Sequence, residues 1–422
     1  MASITKKHSF WWDNSPPDFS LQPQLPKFAD IVIVGAGFAG ISTAYWIKRV
    51  ASLAKKKGLR VVVLEEGPHA AFKSSGRMNG SVYLGSNKSA KQMADLLGNK
   101  TAEKLYRYSN QNNVMLEEFI SRGIDCDPEF NGGLRMASTA KEAVDLDDSA
   151  DLLRKWGFFP ARFDHNQSAH VLVAPFTKGS LFVPGEGLID PFAFTNKLTR
   201  ILRRNGIWIV YGTRVVYTEN SEDHGPQLHL SNGHVLSAGK IIHTTTNTVP
   251  WDRMEEHIVR RREQVVRAEA FADELDDLPL PYMPVELNGG LDSIRIHDDA
   301  VVMTGGKMGL KKDPELNVTD DTGFNERVLG NLDKTMMHHL PMTNYAEVTH
   351  TWTYIEIETD DGLPLMGEVP DMSGHFVNLA HGRNKFGLAF LGARNIAEKA
   401  LRVKVTNSEF NIFSPKRLTK GE

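Results

Sequence analysis

Gly35, Gly37 and Gly40 stand in the order GxGxxG directly after the apolar run Ile31 to Val34, and Glu65 closes a second apolar run, Arg60 to Leu64. These residue types at this spacing suit a dinucleotide. Glycines remove the Cβ atoms that would keep a pyrophosphate off the backbone, the start of a following helix offers it free N–H groups, and a carboxylate at the next strand end accepts from ribose hydroxyls. Phe38 and Ala39 sit between the glycines and share that turn. Glu65 is the expected ribose ligand, with Glu66 as its adjacent rival. An acidic strand end disfavours NADP, whose 2′-phosphate asks for an arginine, and leaves NAD and FAD open. To position these groups the chain needs a strand, the helix begun by ISTAYWIKRV and a second parallel strand, which together make a βαβ unit.

Two further segments bear on the choice of cofactor: SSGRMNGS, Ser74 to Ser81, and far downstream DGLPLMG, Asp361 to Gly367. With the βαβ unit they resemble the flavin-contacting signatures of the amino-acid and amine oxidase family of FAD-dependent oxidoreductases, over Asp30 to about Leu401. That family includes D-amino acid oxidase-like and glycine or sarcosine oxidase-like members, and the γ-glutamylputrescine oxidase-like branch is the most similar in pattern. The resemblance implies an α/β fold in which a discontinuous Rossmann-like FAD-binding domain and a mixed-sheet α+β substrate domain share a cleft. The expected boundaries are an N-terminal arm at 1–28, an FAD-binding domain from 29–98, 184–250 and 346–405, a substrate domain from 99–183 and 251–345, and a tail at 406–422. It also implies cofactor contacts at Ser75, Gly76, Arg77, Asn79 and Gly80 in the early segment, and at Gly382, Arg383, Asn384, Lys385 and Phe386 in the late one. Between these, Val215 falls where relatives hang the adenine, although Val215 and Val216 fit a plain core strand equally well. Thr245, in a Thr-rich strand end where relatives carry small residues, either touches the cofactor or caps the strand.

The substrate side departs from the family. Relatives that oxidise small α-amino acids often carry WxGxR before DGLPxIG, with an arginine that grips the substrate carboxylate as a fork. Here the stretch reads TWTYIEIETDDGLPLMG: Trp352 fits, Tyr354 replaces the glycine and Glu356 stands in the place of the arginine. The resemblance then points to a small-molecule amine, oxidised by hydride transfer from the carbon beside nitrogen to flavin N5. An imine and H2O2 would result if oxygen is the acceptor. A dehydrogenase with another acceptor, or a flavin-binding assembly protein, shares the same fold. Glu356 either faces the cavity or, with Glu358, lies on the polar side of a strand whose Ile355 and Ile357 enter the core. Arg295 faces the cavity or forms a sheet-edge ion pair, and His381 is expected beside the ring system. Lys385, where relatives have glycine, is left open between surface, flavin edge and an oxygen or substrate contact.

Composition sets the outer limits. At 422 residues, 41% of them hydrophobic, the chain can bury two cores. A net charge of -3 gives no electrostatic case for nucleic acid. The single cysteine, Cys126, excludes an intrachain disulfide framework and a Cys-rich metal site. Some relatives attach FAD through a cysteine near the C-terminus; none stands there in this chain, so the resemblance implies noncovalent FAD, with a histidyl linkage left open. Asp145, Asp147, Asp148 and Asp151 read as the solvent face of a helix rather than as metal ligands. Arg260, Arg261 and Arg262 read as a solvated edge at the start of the substrate domain, followed by acidic Asp273, Glu274, Asp276 and Asp277. Phe10, Trp11 and Trp12 suggest that the N-terminal arm packs against the body, as a tether or a gate. The arm lacks a continuous apolar stretch, so a cytoplasmic location is expected, and no apolar run is long enough to span a membrane. Oligomeric state is not legible.

Overall fold

The structure is a computed structural model that describes residues 5–18, 23–86, 88–172, 177–221, 225–246, 248–269, 283–340, 343, 346–419. The acidic residues Asp273, Glu274, Asp276 and Asp277 lie outside the described residues.

The βαβ pattern gives what its periodicity predicts. Ile31 to Val34 are all buried in the strand Phe28–Val34, which pairs in parallel with Val61–Leu64 on one side and with Val235–His243 on the other. Gly37 caps the helix Phe38–Leu53, whose buried face includes Ile41, Ala44 and Ile47. The first sheet runs in the order Leu365–Glu368, His375–Leu379, Val235–His243, Phe28–Val34, Val61–Leu64, Trp208–Val210, with the hairpin Val215–Ser221 and Gly225–Leu230 attached through Val235–His243. Ile31 to Val34 and Val61–Leu64 are parallel and buried on both faces, which explains their unbroken apolar sequences. The helices Phe38–Leu53 and Ala389–Ala400 pack together, and Pro191–Arg204 packs beside the former. Proline at the first turn of Pro191–Arg204 loses no hydrogen bond, while the Asp190 carboxylate accepts from Phe192 and Ala193 N–H.

The second sheet has the order Glu347–Thr359, Ile258–Glu269, Ala300–Thr304, Asp292–His297, Val285–Leu287, Gly133–Ala137, Gly179–Val183, Ala161–Phe163. It is antiparallel except where Val285–Leu287 meets Gly133–Ala137. Glu347–Thr359, grouped above with the flavin segments, pairs along its length with Ile258–Glu269 in this second sheet and then leads directly into Leu365–Glu368 of the first. The chain therefore crosses between sheets at DGLPLMG.

One expectation about the fold needs correction. The three arginines are not on a solvated edge: Ile258–Glu269 is an interior strand, Arg260 and Arg262 are buried, Arg262 is paired with Glu315, and Arg261 reaches Asp313 and Glu358. The partners of Arg261 and Arg262 come from later in the chain, so the sequence run suggests exposure that tertiary pairing removes. The arm packs against the body, as its aromatic residues suggest. Phe10–Asn14 forms one short helical turn with Trp11 fully buried, its indole N–H donating to Met78 O, while Ser9 donates to Gly76 O.

Candidate active site

One groove runs over the ends of the first sheet's strands and along the start of the helix Phe38–Leu53, and the second sheet closes it through Ile355, Glu356 and Ile357. Its glycine wall is fixed by close approach. A Cβ on Gly40 would stand 1.9 Å from Gly35 O, and one on Gly37 would stand 2.8 Å from Ser75 Oγ. Gly35 has φ +103, a conformation that side chains disfavour. Ser75 Oγ accepts from Phe38 N–H at 3.0 Å, tying the early flavin segment to the helix start. Glu65 lines the groove with its two oxygens accepting from Ala36 and Gly67 N–H, each at 2.8 Å. Burial raises its pKa while those two N–H groups pull the other way.

Of the residues singled out from sequence, Gly35, Gly37, Ala39, Glu65, Glu66, Ser75, Val215, Thr245, Glu356, His381, Gly382 and Lys385 line this groove. The others sit behind it. Phe38 and Phe386 pack edge to face in the core. Gly76 and Gly80 allow backbone to pass close to Ala71 and Ile189. Arg77 bridges Phe72 O, Asp321 and Thr353 O beneath the rings of Trp12 and Phe72. Asn79 donates to Ser293, and Asn384 accepts from Tyr83 N–H and donates to Gly85 O. Tyr354 is buried without lining the groove.

Arg295 is placed outside the groove as well. Its guanidinium is fully buried, donates to Asn79 O at 2.9 Å and Ile189 O at 2.6 Å, and lies 4.6 Å from the Trp11 ring. The cavity role considered for it is not what this geometry supports. Its strand is interior, and the arm covers it.

The titratable groups among the lining residues differ sharply. His381 hydrogen-bonds Asn378 Oδ1 at 2.9 Å, and burial, reinforced by Lys385, lowers it to about 3. Lys385 donates to Ser74 Oγ at 2.9 Å, and burial lowers it to about 8 against the attraction of Glu356. Glu356 is 3% exposed, yet neither carboxylate oxygen has a hydrogen-bond partner among the described residues. Burial raises it to about 7; Glu263 and Glu358 push it further up, while Arg383 and Lys307 pull it down.

Behind Glu356 lies a buried charge cluster that sequence reasoning missed. Glu263 and Tyr354 are register partners, as are Arg261 and Glu356, so all four project from one face of the paired strands. Glu263 Oε1 is paired with Lys307 Nζ, and Arg383 Nη2 stands 3.4 Å away. Arg383 Nε is 3.8 Å from Glu356, beyond a hydrogen bond, because its other nitrogens are held by Gly290 O and Leu291 O. Arg383 thus stands behind the groove wall rather than on it. Lys73, Ser74, Asp321 and Asn378 also line the groove without having been chosen from sequence. The alternation of Arg261 with Glu263 carried a faint signal; Asp321, in an irregular stretch, carried none.

Comparison with known proteins now becomes decisive, because a family model described as FAD dependent oxidoreductase matches residues 30–399. The chain belongs to that FAD-dependent oxidoreductase family. It is 23% identical over 400 residues to the probable oxidoreductase OrdL of Haemophilus influenzae, covering 93% of this chain and 88% of that protein. It is 21% identical over 420 residues to a D-amino acid dehydrogenase of Methylobacterium radiotolerans, covering 87% and 94%. Its fold matches the crystal structure of glycine oxidase from Geobacillus kaustophilus with a TM-score of 0.75 at 20% identity, covering 92% of this chain and 98% of that one. This family member is an oxidoreductase with FAD as cofactor. The glycine cradle and the Glu65 strand end fit the group, and Cys126, buried and outside the groove lining, offers it no thioether. Among the described residues no helix is long and apolar enough to cross a membrane.

Proposed function

We propose that this enzyme oxidises a primary or secondary amine rather than a small α-amino acid, passing electrons onward to oxygen. The observation that carries this reading is Glu356: a buried carboxyl among the residues lining the groove, with no donor among the described residues. A substrate carboxylate placed there would meet like charge, whereas a protonated amine would supply the missing donor. Bound FAD supplies acceptance of a hydride. The chain's own residues orient the substrate C–H bond and exclude water. One charged hydrogen bond is worth roughly 1.5 to 3 kcal/mol, so flavin reduction by simple amines should exceed that by matched α-amino acids by about 10- to 100-fold. Anaerobic bleaching of the flavin across a paired panel measures this. Equal or faster bleaching by the amino acids would refute the amine reading.

The kinship with a D-amino acid dehydrogenase keeps a second reading in view, the same chemistry with a different electron acceptor. An oxygen pulse after anaerobic reduction separates the two: prompt return of the oxidised spectrum supports an oxidase, and a persistently bleached enzyme supports a dehydrogenase.

For the cofactor, Glu65 is proposed to accept from the adenosine ribose. Glu65→Ala should raise the FAD dissociation constant by about 10-fold or more, since it removes that acceptor and also strands the buried N–H groups of Ala36 and Gly67. Glu66→Ala should leave it within about twofold, because Glu66 is exposed. Fluorescence titration of apoprotein with FAD reads both constants, and the reverse order would transfer the role to Glu66.

A further inference from the structure

We propose that Glu356 accepts the proton that a bound ammonium must lose before its neighbouring C–H bond can be broken. This rests on the amine reading above and goes beyond it, from recognition of a cation to a step in the chemistry. The problem is inherent in amine oxidation: nitrogen binds best as an ammonium but releases hydride from its carbon only when its lone pair is free. A carboxylate that merely holds the cation would slow the reaction it serves. One that takes the proton resolves the conflict. In the step, an N–H bond of the ammonium breaks and an O–H bond forms at Glu356, leaving neutral amine beside neutral carboxylic acid. Bound oxidised FAD would then supply the acceptor for the electron pair and hydrogen of the C–H bond, which would leave an iminium ion for water to hydrolyse.

The geometry singles out Glu356 among the groups facing the groove. Both Glu65 oxygens are occupied by backbone N–H groups. Asp321 is paired with Lys73 at 3.1 Å and Arg77 at 3.3 Å. Glu66 is exposed. His381 turns one ring nitrogen to Asn378, and with its pKa lowered to about 3 it is too weak a base. Lys385 is engaged by Ser74 and at neutral pH mostly carries its own proton. Among the described residues neither oxygen of Glu356 has a donor, and burial, the largest influence, raises its pKa to about 7. Arg383 and Lys307 favour the carboxylate, while burial, Glu263 and Glu358 favour the acid. Arg261, its register partner, is drawn off to Asp313 and Glu358. Tyr354, from the same strand face, has its pKa raised well above the ordinary value by burial and does not compete for the proton. A base poised near the working pH is where proton transfer is most effective.

The test uses FAD-loaded enzyme and 2-methylpropan-2-amine, whose nitrogen-bearing carbon has no hydrogen, so binding proceeds without oxidation. Binding is followed by perturbation of the flavin visible spectrum, and infrared difference spectra are taken well above pH 7, since burial raises free Glu356 to about 7 and only above that is it mostly ionised. The expected result is a protonated-carboxyl band that appears on binding in wild type and is missing in Glu356→Gln. Binding without that band overturns the proton transfer alone. Absence of any flavin perturbation counts against the amine reading and this step with it. A second measurement uses the fastest amine from the panel in anaerobic single turnover. Glu356→Gln should slow reduction near neutral pH by about 100-fold or more and recover as pH rises toward the amine's own pKa. A parallel loss at every pH, or an unchanged profile, would overturn the proposal.

Discussion

Gly40→Val is expected to yield protein with at least about 10-fold weaker FAD binding and a loss of more than about 3 kcal/mol in stability. A Cβ at this position would lie 1.9 Å from Gly35 O and 2.7 Å from Thr244 Oγ1, and the first of these is backbone that cannot swing aside. Relief requires the helix Phe38–Leu53 to move away from the strand Phe28–Val34. The N–H groups at the helix start would move with it, and they are the groups expected to receive the pyrophosphate. Valine adds a second branch to the same clash. Urea unfolding of the FAD-loaded protein and titration of apoprotein with FAD measure the two effects. A variant with wild-type cofactor affinity would show that the turn can relax without moving the helix.

The parts of the fold that local sequence describes were legible. Ile31 to Val34, the three glycines and Val61 to Leu64 are read correctly because a buried parallel strand needs only its own apolar residues and the turn needs only its own missing side chains. What failed to show depends on partners distant in sequence. Arg261 and Arg262 look solvated until Asp313 and Glu315 are brought beside them. Arg295 looks available for a substrate until Trp11 from the arm and the carbonyls of Asn79 and Ile189 surround it.

Glu356 is an intermediate case. The alternation of Glu356 and Glu358 with Ile355 and Ile357 identifies the strand but not which face is wet, and here neither face is. The isoleucines join a core cluster with Leu365, Val377 and Leu379, while Glu356 is shut between the groove and the Glu263–Lys307 pair. Period-two patterning assumes that polar means exposed. A strand with a buried core on one side and a buried charged site on the other violates that assumption, and such violations are expected where function demands them.

The buried pair behind Glu356 gives the other large expected effect. Lys307→Met should destabilise the protein by about 3 kcal/mol or more at neutral pH, because breaking a buried ion pair leaves an uncompensated charge. Glu263 is fully buried, and Arg383 at 3.4 Å compensates only in part. The sign of the pH dependence follows from Glu263. Burial acts to raise its pKa, but Lys307 and Arg383 outweigh burial and hold it below the ordinary carboxylate value. A depressed carboxylate contributes stability that is present above its unfolded pKa and lost as pH falls through its folded one. In Lys307→Met that contribution disappears, so the gap to wild type should be widest at neutral pH and narrow on acidification, where the stranded Glu263 takes a proton. Glu263→Gln/Lys307→Met removes both charges together and should recover most of the stability, since a neutral, well-packed replacement avoids the desolvation that the lone carboxylate suffers. Urea unfolding of the two variants and wild type at matched FAD, at neutral and acidic pH, decides it. A double variant as unstable as the single one would show that Lys307 acts through packing of its methylene chain rather than through its charge.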